Sequence, residues 1–205
     1  MPMRRLLPIL AFSLHAEIFD RTAAVVNRMA VTASAIEEQV RVAAFLNQEP
    51  VDLSPANRRR AAERLVEQLL LQHEMQVSRY VPPTEAEVEN LFSQVNRPAD
   101  LRRYSLSEAA LRRSLLLQLA TLRFIELRFR PGSAVSDGEI EIYYRDRYVP
   151  DWSKSNPGKT PPEIDDARDA IEQILLQRKV DQALDQWLKE ARSQSRIQFF
   201  DEAFQ

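Results

Sequence analysis

Apolar residues recur every three or four positions along most of this chain, the spacing that places them on one face of an α-helix. Each such run is bounded by a capping residue, a proline or a polar linker. The pattern predicts helices over about 34–47, 55–81, 85–95, 105–129, 136–144 and 163–193. Leu69-Leu70-Leu71 widens the apolar stripe of the second helix, which predicts that this helix is central.

A Ser or Thr followed three residues later by Glu marks the expected start of four helices, because the two side chains can bond each other's backbone N–H groups. Ser54-Pro55 opens the helix predicted over 55–81 with a cap and a proline in the first turn. The four pairs are Ser34–Glu37, Thr84–Glu87, Ser105–Glu108 and Ser136–Glu139.

Two short β-prone segments lie near the ends of the chain. Residues 23–32 predict a small hairpin, with Asn27 as the residue best able to adopt a left-handed turn. Residues 196–200 predict a terminal strand, and a lone strand at each end suggests that the two ends pair. The fold class is therefore mainly α, a multi-helix domain with one small β element. Residues 149–162 contain four prolines and one glycine and predict a loop.

The first sixteen residues predict a secretory signal peptide. Two arginines precede the apolar run 6–14, and Ala16 offers a small residue at the cleavage position. A buried or disordered N-terminal segment is the alternative. On the signal-peptide interpretation, residues 17–205 form a single exported helical domain, and no later stretch is apolar and long enough to be an integral membrane anchor.

Composition excludes several classes of protein. The chain has 205 residues with 3 glycines and no cysteine, which argues against glycine-rich phosphate loops and excludes disulfides and thiolate metal sites. A net charge of −2 gives no reason to expect nucleic acid as a partner.

No familiar catalytic constellation is present in the sequence. His73-Glu74 resembles the start of a zinc-protease motif, but Val77 stands where the second histidine ligand would be. Paired carboxylates fall in first helical turns, where the helix dipole already favours them. We therefore expect no enzyme activity, no metal and no cofactor.

The candidates for a binding surface are two apolar residues on the predicted helix 85–95 and an aromatic cluster that leads from the predicted helix 136–144 into the proline-rich loop. The alternative for the aromatic group is packing beneath the proline-rich loop. The candidate client-binding residues are Leu91, Phe92, Tyr143, Tyr144, Tyr148 and Trp152.

Several short motifs resemble those of SurA-type periplasmic chaperones. These are AVVN at 24–27 followed by the capped first helix, VSDGEI at 135–140 with Tyr143-Tyr144, and the closing segment 177–197. In relatives that carry a parvulin-type prolyl isomerase, a glycine-rich module lies between the Tyr-Tyr helix and the closing helix. Here residues 145–162 leave no room for it, so the resemblance implies a chaperone without isomerase activity.

The expected function is thus an ATP-independent periplasmic holdase for unfolded secreted or outer-membrane proteins. The alternative is a helical adaptor or assembly subunit of the cell envelope that binds one folded partner. The sequence leaves open whether the protein forms a homodimer.

Overall fold

A three-stranded antiparallel sheet joins the two ends of the described chain. The computed structural model describes residues 20–95 and 97–205. The strands are β1 (Thr22–Val26), β2 (Met29–Thr32) and β3 (Ile197–Phe199), in the order β2-β1-β3. Val26 lies opposite both Met29 and Ile197, so the N-terminal hairpin pairs with the C-terminal strand. The predicted pairing of the two ends is confirmed.

Asn27 makes the tight turn of the hairpin, as its tolerance of left-handed backbone predicts. Its φ is +56°, and its own backbone N–H bonds the carbonyl of Arg196 at 2.8 Å. The Asn27 side-chain oxygen accepts from the Arg196 N–H at 2.9 Å. One residue therefore closes the hairpin and ties it to the third strand.

Helices make up most of the described residues, and the mainly α fold class is confirmed. Between β2 and β3 they are α1 (Ala33–Asn47), α2 (Pro55–Val77), α3 (Glu85–Val95), α4 (Pro98–Arg103), α5 (Glu108–Phe129), α6 (Asp137–Tyr143), α7 (Val149–Ser155) and α8 (Ile164–Gln194). A π-helical turn, Tyr144–Tyr148, links α6 to α7, and short 3-10 turns follow α5 and β3.

Two predicted capping boxes are present as expected. Thr84 and Glu87 exchange hydrogen bonds at the start of α3, and Ser136 and Glu139 do so at the start of α6. Ser54 caps α2 by accepting from the Asn57 N–H. Each of these caps depends on residues three positions apart, which is why local sequence was sufficient to find them.

The predicted cap of α1 is wrong by two residues. Thr32, the last residue of β2, accepts from the Ala35 N–H and starts the helix. Ser34 already lies inside the helix, where its backbone N–H and hydroxyl bond the Asp20 carboxylate instead. The hairpin delivers the chain directly into α1, so the strand supplies the cap.

The start of α5 is also displaced from its prediction. Ser107 is the cap and accepts from the Ala110 N–H at 3.1 Å, whereas Ser105 has a φ of +53° in the preceding turn. The short helix α4 occupies a segment for which the sequence pattern predicts no helix. Its last residues and Ser105 reverse the chain, so α5 begins after that reversal is complete.

The predicted loop at 149–162 is wrong for its first half. The chain continues as helix from α6 through the π-helical turn and α7 as far as Ser155. Pro150 lies in the first turn of α7, and the Val149 N–H bonds the carbonyl of Tyr144, five residues back. A π-helical turn widens the helix before the proline, and this accommodates the ring and the missing N–H.

The longest helix, α8, spans 31 residues, about 46 Å at the usual rise. Its first half packs against α6 around Ile140 and Ile171, and its second half packs against α2 and α5 around Leu71 and Phe124. Two further clusters fill the rest of the core. One joins the sheet to α1 and α2, and the other joins α1 to α3, α4 and α5.

The predicted signal peptide, 1–16, lies outside the described residues. Within the described ranges, no helix combines the length and the apolarity that a membrane crossing requires.

Candidate binding cleft

The two candidate residues on α3 belong to the core between α1, α3 and α5. Phe92 is only 3% exposed, and the Arg112 guanidinium covers its ring at 3.6 Å from the centroid. Leu91 is partly buried against the same cluster. Phe92 therefore has no open face for a ligand in this conformation.

The tyrosines among the candidates pack between α6, the π-helical turn and α8. Tyr144 and Tyr148 are stacked with ring centroids 5.7 Å apart, and the Tyr144 hydroxyl donates to the Pro162 carbonyl at 2.7 Å. The Arg178 guanidinium lies 4.9 Å from the centre of the Tyr143 ring. Trp152 is partly exposed on α7.

The six candidates do not form one surface in this conformation. Leu91 and Phe92 lie in the cluster around α5, whereas Tyr143, Tyr144 and Tyr148 surround a separate cluster on α8. The arrangement of these tyrosines supports the packing alternative, since each contacts the cluster below it.

An open cleft runs between α1, α2, α5 and α8. We call the part beside the end of α1 the outer half and the part beside Leu184 and Leu188 of α8 the inner half. Their volumes are about 560 Å³ and about 340 Å³. Gln39, Arg64 and Gln118 line both halves, so the two are continuous at this junction. Volumes of this size are typical of ligand-binding sites.

Helical spacing explains how the cleft walls are built. Residues three or four apart share a helix face, so one side of each helix can follow the cleft over two turns. The aligned sets are Gln39, Ala43 and Leu46 on α1; Arg64, Gln68 and Leu71 on α2; Gln118 and Leu122 on α5; and Leu184 and Leu188 on α8.

The inner half of the cleft is apolar. Leu71, Leu184 and Leu188 form part of its wall, and Leu122 stands at its edge with 64% of its surface exposed. The Thr121 hydroxyl is buried there without a hydrogen-bond partner among the described residues.

The junction is polar but mostly uncharged. Gln39 and Gln118 lie at the junction and Gln68 lies beside them in the inner half, and side-chain amides complement a peptide backbone. The Gln118 amide also donates to the Ser114 hydroxyl at 3.0 Å. Arg64 lies among them, and its neighbours Glu63 and Glu67 are already paired with Arg59 and Arg192. Among the described residues, Arg64 has no carboxylate partner.

Ion pairs across the cleft walls hold the helices in place. Arg192 of α8 bonds Glu67 of α2 at 2.9 Å, and Arg113 of α5 bonds Glu38 of α1 at 3.1 Å. At the outer end, Asp52 accepts from the Ser54 backbone N–H, which lowers the pKa of that carboxyl. These ion pairs therefore connect neighbouring helices of the cleft walls at the protein surface.

The lining consists mainly of apolar side chains and side-chain amides, groups that can bind a polypeptide. In the ranges 20–95 and 97–205, no three carboxylate or histidine side chains are grouped as metal ligands would be, and His73 is exposed on α2. An extended chain could place apolar side chains in the inner half and its backbone amides against the junction.

Sequence reasoning did not identify this cleft. The signal was present in α5, whose apolar stripe, from Leu111 to Phe129, is wider than one neighbouring helix can cover. Leu122 belongs to that stripe and yet remains largely exposed.

The sequence matches no known protein-family model, and no curated protein is significantly similar to it.

Proposed function

We propose that this protein is an exported, ATP-independent chaperone that holds unfolded polypeptides in the cleft between α1, α2, α5 and α8. The observation that carries the proposal is the continuous cleft, apolar at its inner half and lined by side-chain amides at its junction. The sequence motifs similar to those of SurA-type chaperones and the predicted signal peptide support the same function and a periplasmic location.

The lining suits a ligand without defined tertiary structure. Apolar contact is non-directional, so the inner half accepts leucine, isoleucine or phenylalanine with little distinction. Side-chain amides bond any peptide backbone, whatever its sequence. Ordering a flexible chain opposes binding, so affinity is modest and release needs no nucleotide.

The test is suppression of aggregation. A urea-unfolded outer-membrane β-barrel protein is diluted into buffer with and without the mature chain, residues 17–205, and light scattering is followed. We expect less scattering at equimolar chaperone and no dependence on ATP. Unchanged scattering at several-fold molar excess would overturn the proposal.

The chain offers a matched pair of variants for this assay. Leu122 and Leu127 both lie on α5 and are 64% and 65% exposed, but only Leu122 lines the cleft. Leu122→Gln should weaken suppression, whereas Leu127→Gln should leave it unchanged. Equal loss in both would indicate general surface hydrophobicity and would argue against the cleft as the binding site.

The same preparation also tests the expected lack of isomerase activity. We expect the protein to leave the rate of cis-trans conversion of a proline-containing peptide at its uncatalysed value. Acceleration at micromolar protein would contradict a purely holding function.

A further inference from the structure

The two ends of the cleft differ in charge as well as in polarity. The inner end is lined by four leucines, and its one carboxylate, Glu67, is paired with Arg192. Arg64 lines both halves, so the cation without a carboxylate partner lies at the junction between the two ends. The outer end includes Glu49, an exposed residue of the linker after α1, and no described cation is paired with it. Asp52 lies at the same end, but it is bonded to the Ser54 N–H and faces Arg60. Glu49 is therefore the carboxylate available to a ligand.

The end of helix α1 adds to this negative potential. Leu46 and Asn47, in its last turn, line the outer half of the cleft. The last turn of α1 contains no basic residue, although the carbonyl end of a helix favours a positive charge nearby. The Glu49 N–H bonds the Ala44 carbonyl at 2.9 Å, so the carboxylate of Glu49 is held beside the end of α1, and both line the outer half.

The length of the cleft fixes the spacing of a ligand. Asn57 lines the outer half and Leu71 the inner half, and both lie on α2. At the helical rise they are about 21 Å apart. An extended chain advances about 3.3 Å per residue, so about six residues span this distance.

We infer that the cleft selects extended segments in which a large apolar residue and a lysine or arginine are separated by about six positions. The apolar side chain occupies the inner half, the basic side chain lies near Glu49 and the end of α1, and the backbone between them bonds the junction amides. This inference rests on the proposed function and adds a sequence preference to it.

Fluorescence anisotropy with labelled nine-residue peptides tests the preference. One peptide carries Leu and Lys six positions apart in a Gly-Ser-Asn background, and it is made in both orders, with Leu before Lys and with Lys before Leu. A second peptide has Glu in place of Lys, and a third has Ser in place of Leu. We expect the Glu peptide to bind the full chain about two- to fivefold more weakly, as for a surface ion pair. The Ser peptide should lose about tenfold.

Charge reversal in the protein provides the decisive comparison. Glu49→Lys should weaken binding of the Lys peptide and strengthen binding of the Glu peptide, and added salt should reduce both effects. Glu172→Lys makes the same charge change on the exposed surface of α8, away from the cleft lining, and should leave the order of affinities unchanged.

The possible results separate this inference from the proposed function. Equal affinity for the Lys and Glu peptides, an order unaltered by Glu49→Lys, or no binding of any peptide at about 1 mM would overturn the preference. Aggregation suppression measured on the same preparation decides the holding function independently.

Discussion

The carboxylate of Glu139 accepts a hydrogen bond from Lys179 Nζ at 2.9 Å while it also accepts from the Ser136 N–H and hydroxyl. Glu139 therefore caps α6 and ties that helix to α8 at the same time. Glu87 has the equivalent position in α3, where it caps the helix and accepts from Arg123 of α5. Each of these short helices is held to a long one through its capping carboxylate.

These two carboxylates make the stability depend on acid pH. The hydrogen bond from Lys179 lowers the pKa of Glu139 to about 2, and that from Arg123 lowers the pKa of Glu87 to about 2, against an ordinary value of 4.5. Because the folded pKa is the lower one, the contribution is complete above about pH 4.5 and is lost as the pH falls towards 2. Urea midpoints measured from pH 6 to pH 2 should fall across this window.

Glu139→Gln tests the origin of that dependence. The variant should be less stable at pH 7, and its urea midpoint should change less between pH 4.5 and pH 2. Glu141→Gln, on an exposed position of the same helix, is the control and should retain the wild-type profile. Identical pH profiles for Glu139→Gln and wild type would show that the pair contributes nothing.

The start of α5 allows the observed cap to be tested against the predicted one. Ser107→Ala removes the acceptor for the Ala110 N–H and should cost about 1 kcal/mol of unfolding free energy. Ser105→Gly should leave stability unchanged or raise it, because glycine adopts a φ of +53° without steric cost. Urea denaturation followed by circular dichroism measures both; a larger loss at Ser105 would contradict the assigned cap.

The packing of α8 against α6 can be measured with two isoleucines of the same helix. Ile171 is 0% exposed within its cluster and Ile174 is 39% exposed. Ile171→Ala should destabilise the fold by about 2–5 kcal/mol, since it leaves a cavity. Ile174→Ala should cost well under that amount. Similar losses from the two variants in urea unfolding would exclude this arrangement of α8.

Asn27 supports both the hairpin turn and the link to β3. Asn27→Ala loses the side-chain bond to the Arg196 N–H and places a Cβ-bearing residue at φ +56°, so we expect a loss of about 1–2 kcal/mol. Asn27→Gly loses the bond but relieves the backbone and should cost less. If glycine proves the more harmful change in thermal unfolding, the left-handed turn is not the determining factor.

Elements governed by nearby residues were predictable from the sequence. The pairs Thr84–Glu87 and Ser136–Glu139 fix two helix starts, and the left-handed tolerance of Asn27 fixes the hairpin turn. The start of α1 lies two residues before its prediction because Thr32 supplies the cap. Ser34 and Glu37 have the spacing of a capping box, but Ser34 bonds Asp20 and Glu37 pairs with two arginines instead. The helix at 149–155 was missed because the π-helical turn before Pro150 has no simple sequence signal.

The cleft could not be predicted, because it depends on what the helices leave uncovered. Sequence periodicity assigns Leu122 to the apolar face of α5, and only the placement of α2 and α8 shows that its side chain remains exposed. Phe92 shows the reverse case, since Arg112 on another helix covers its ring. Periodicity identifies a face, while packing decides whether that face is core or binding surface.

The sheet that joins the two ends of the chain has a consequence for biogenesis. Asn27 and Arg196 are 169 positions apart, so β1 cannot gain its second neighbour until almost all of the described chain is available. Long-range pairing of this kind closes late and slowly. Until then one edge of the hairpin is open to pairing with another polypeptide. A protein proposed to shelter immature chains thus passes through a vulnerable stage of its own before its architecture is complete.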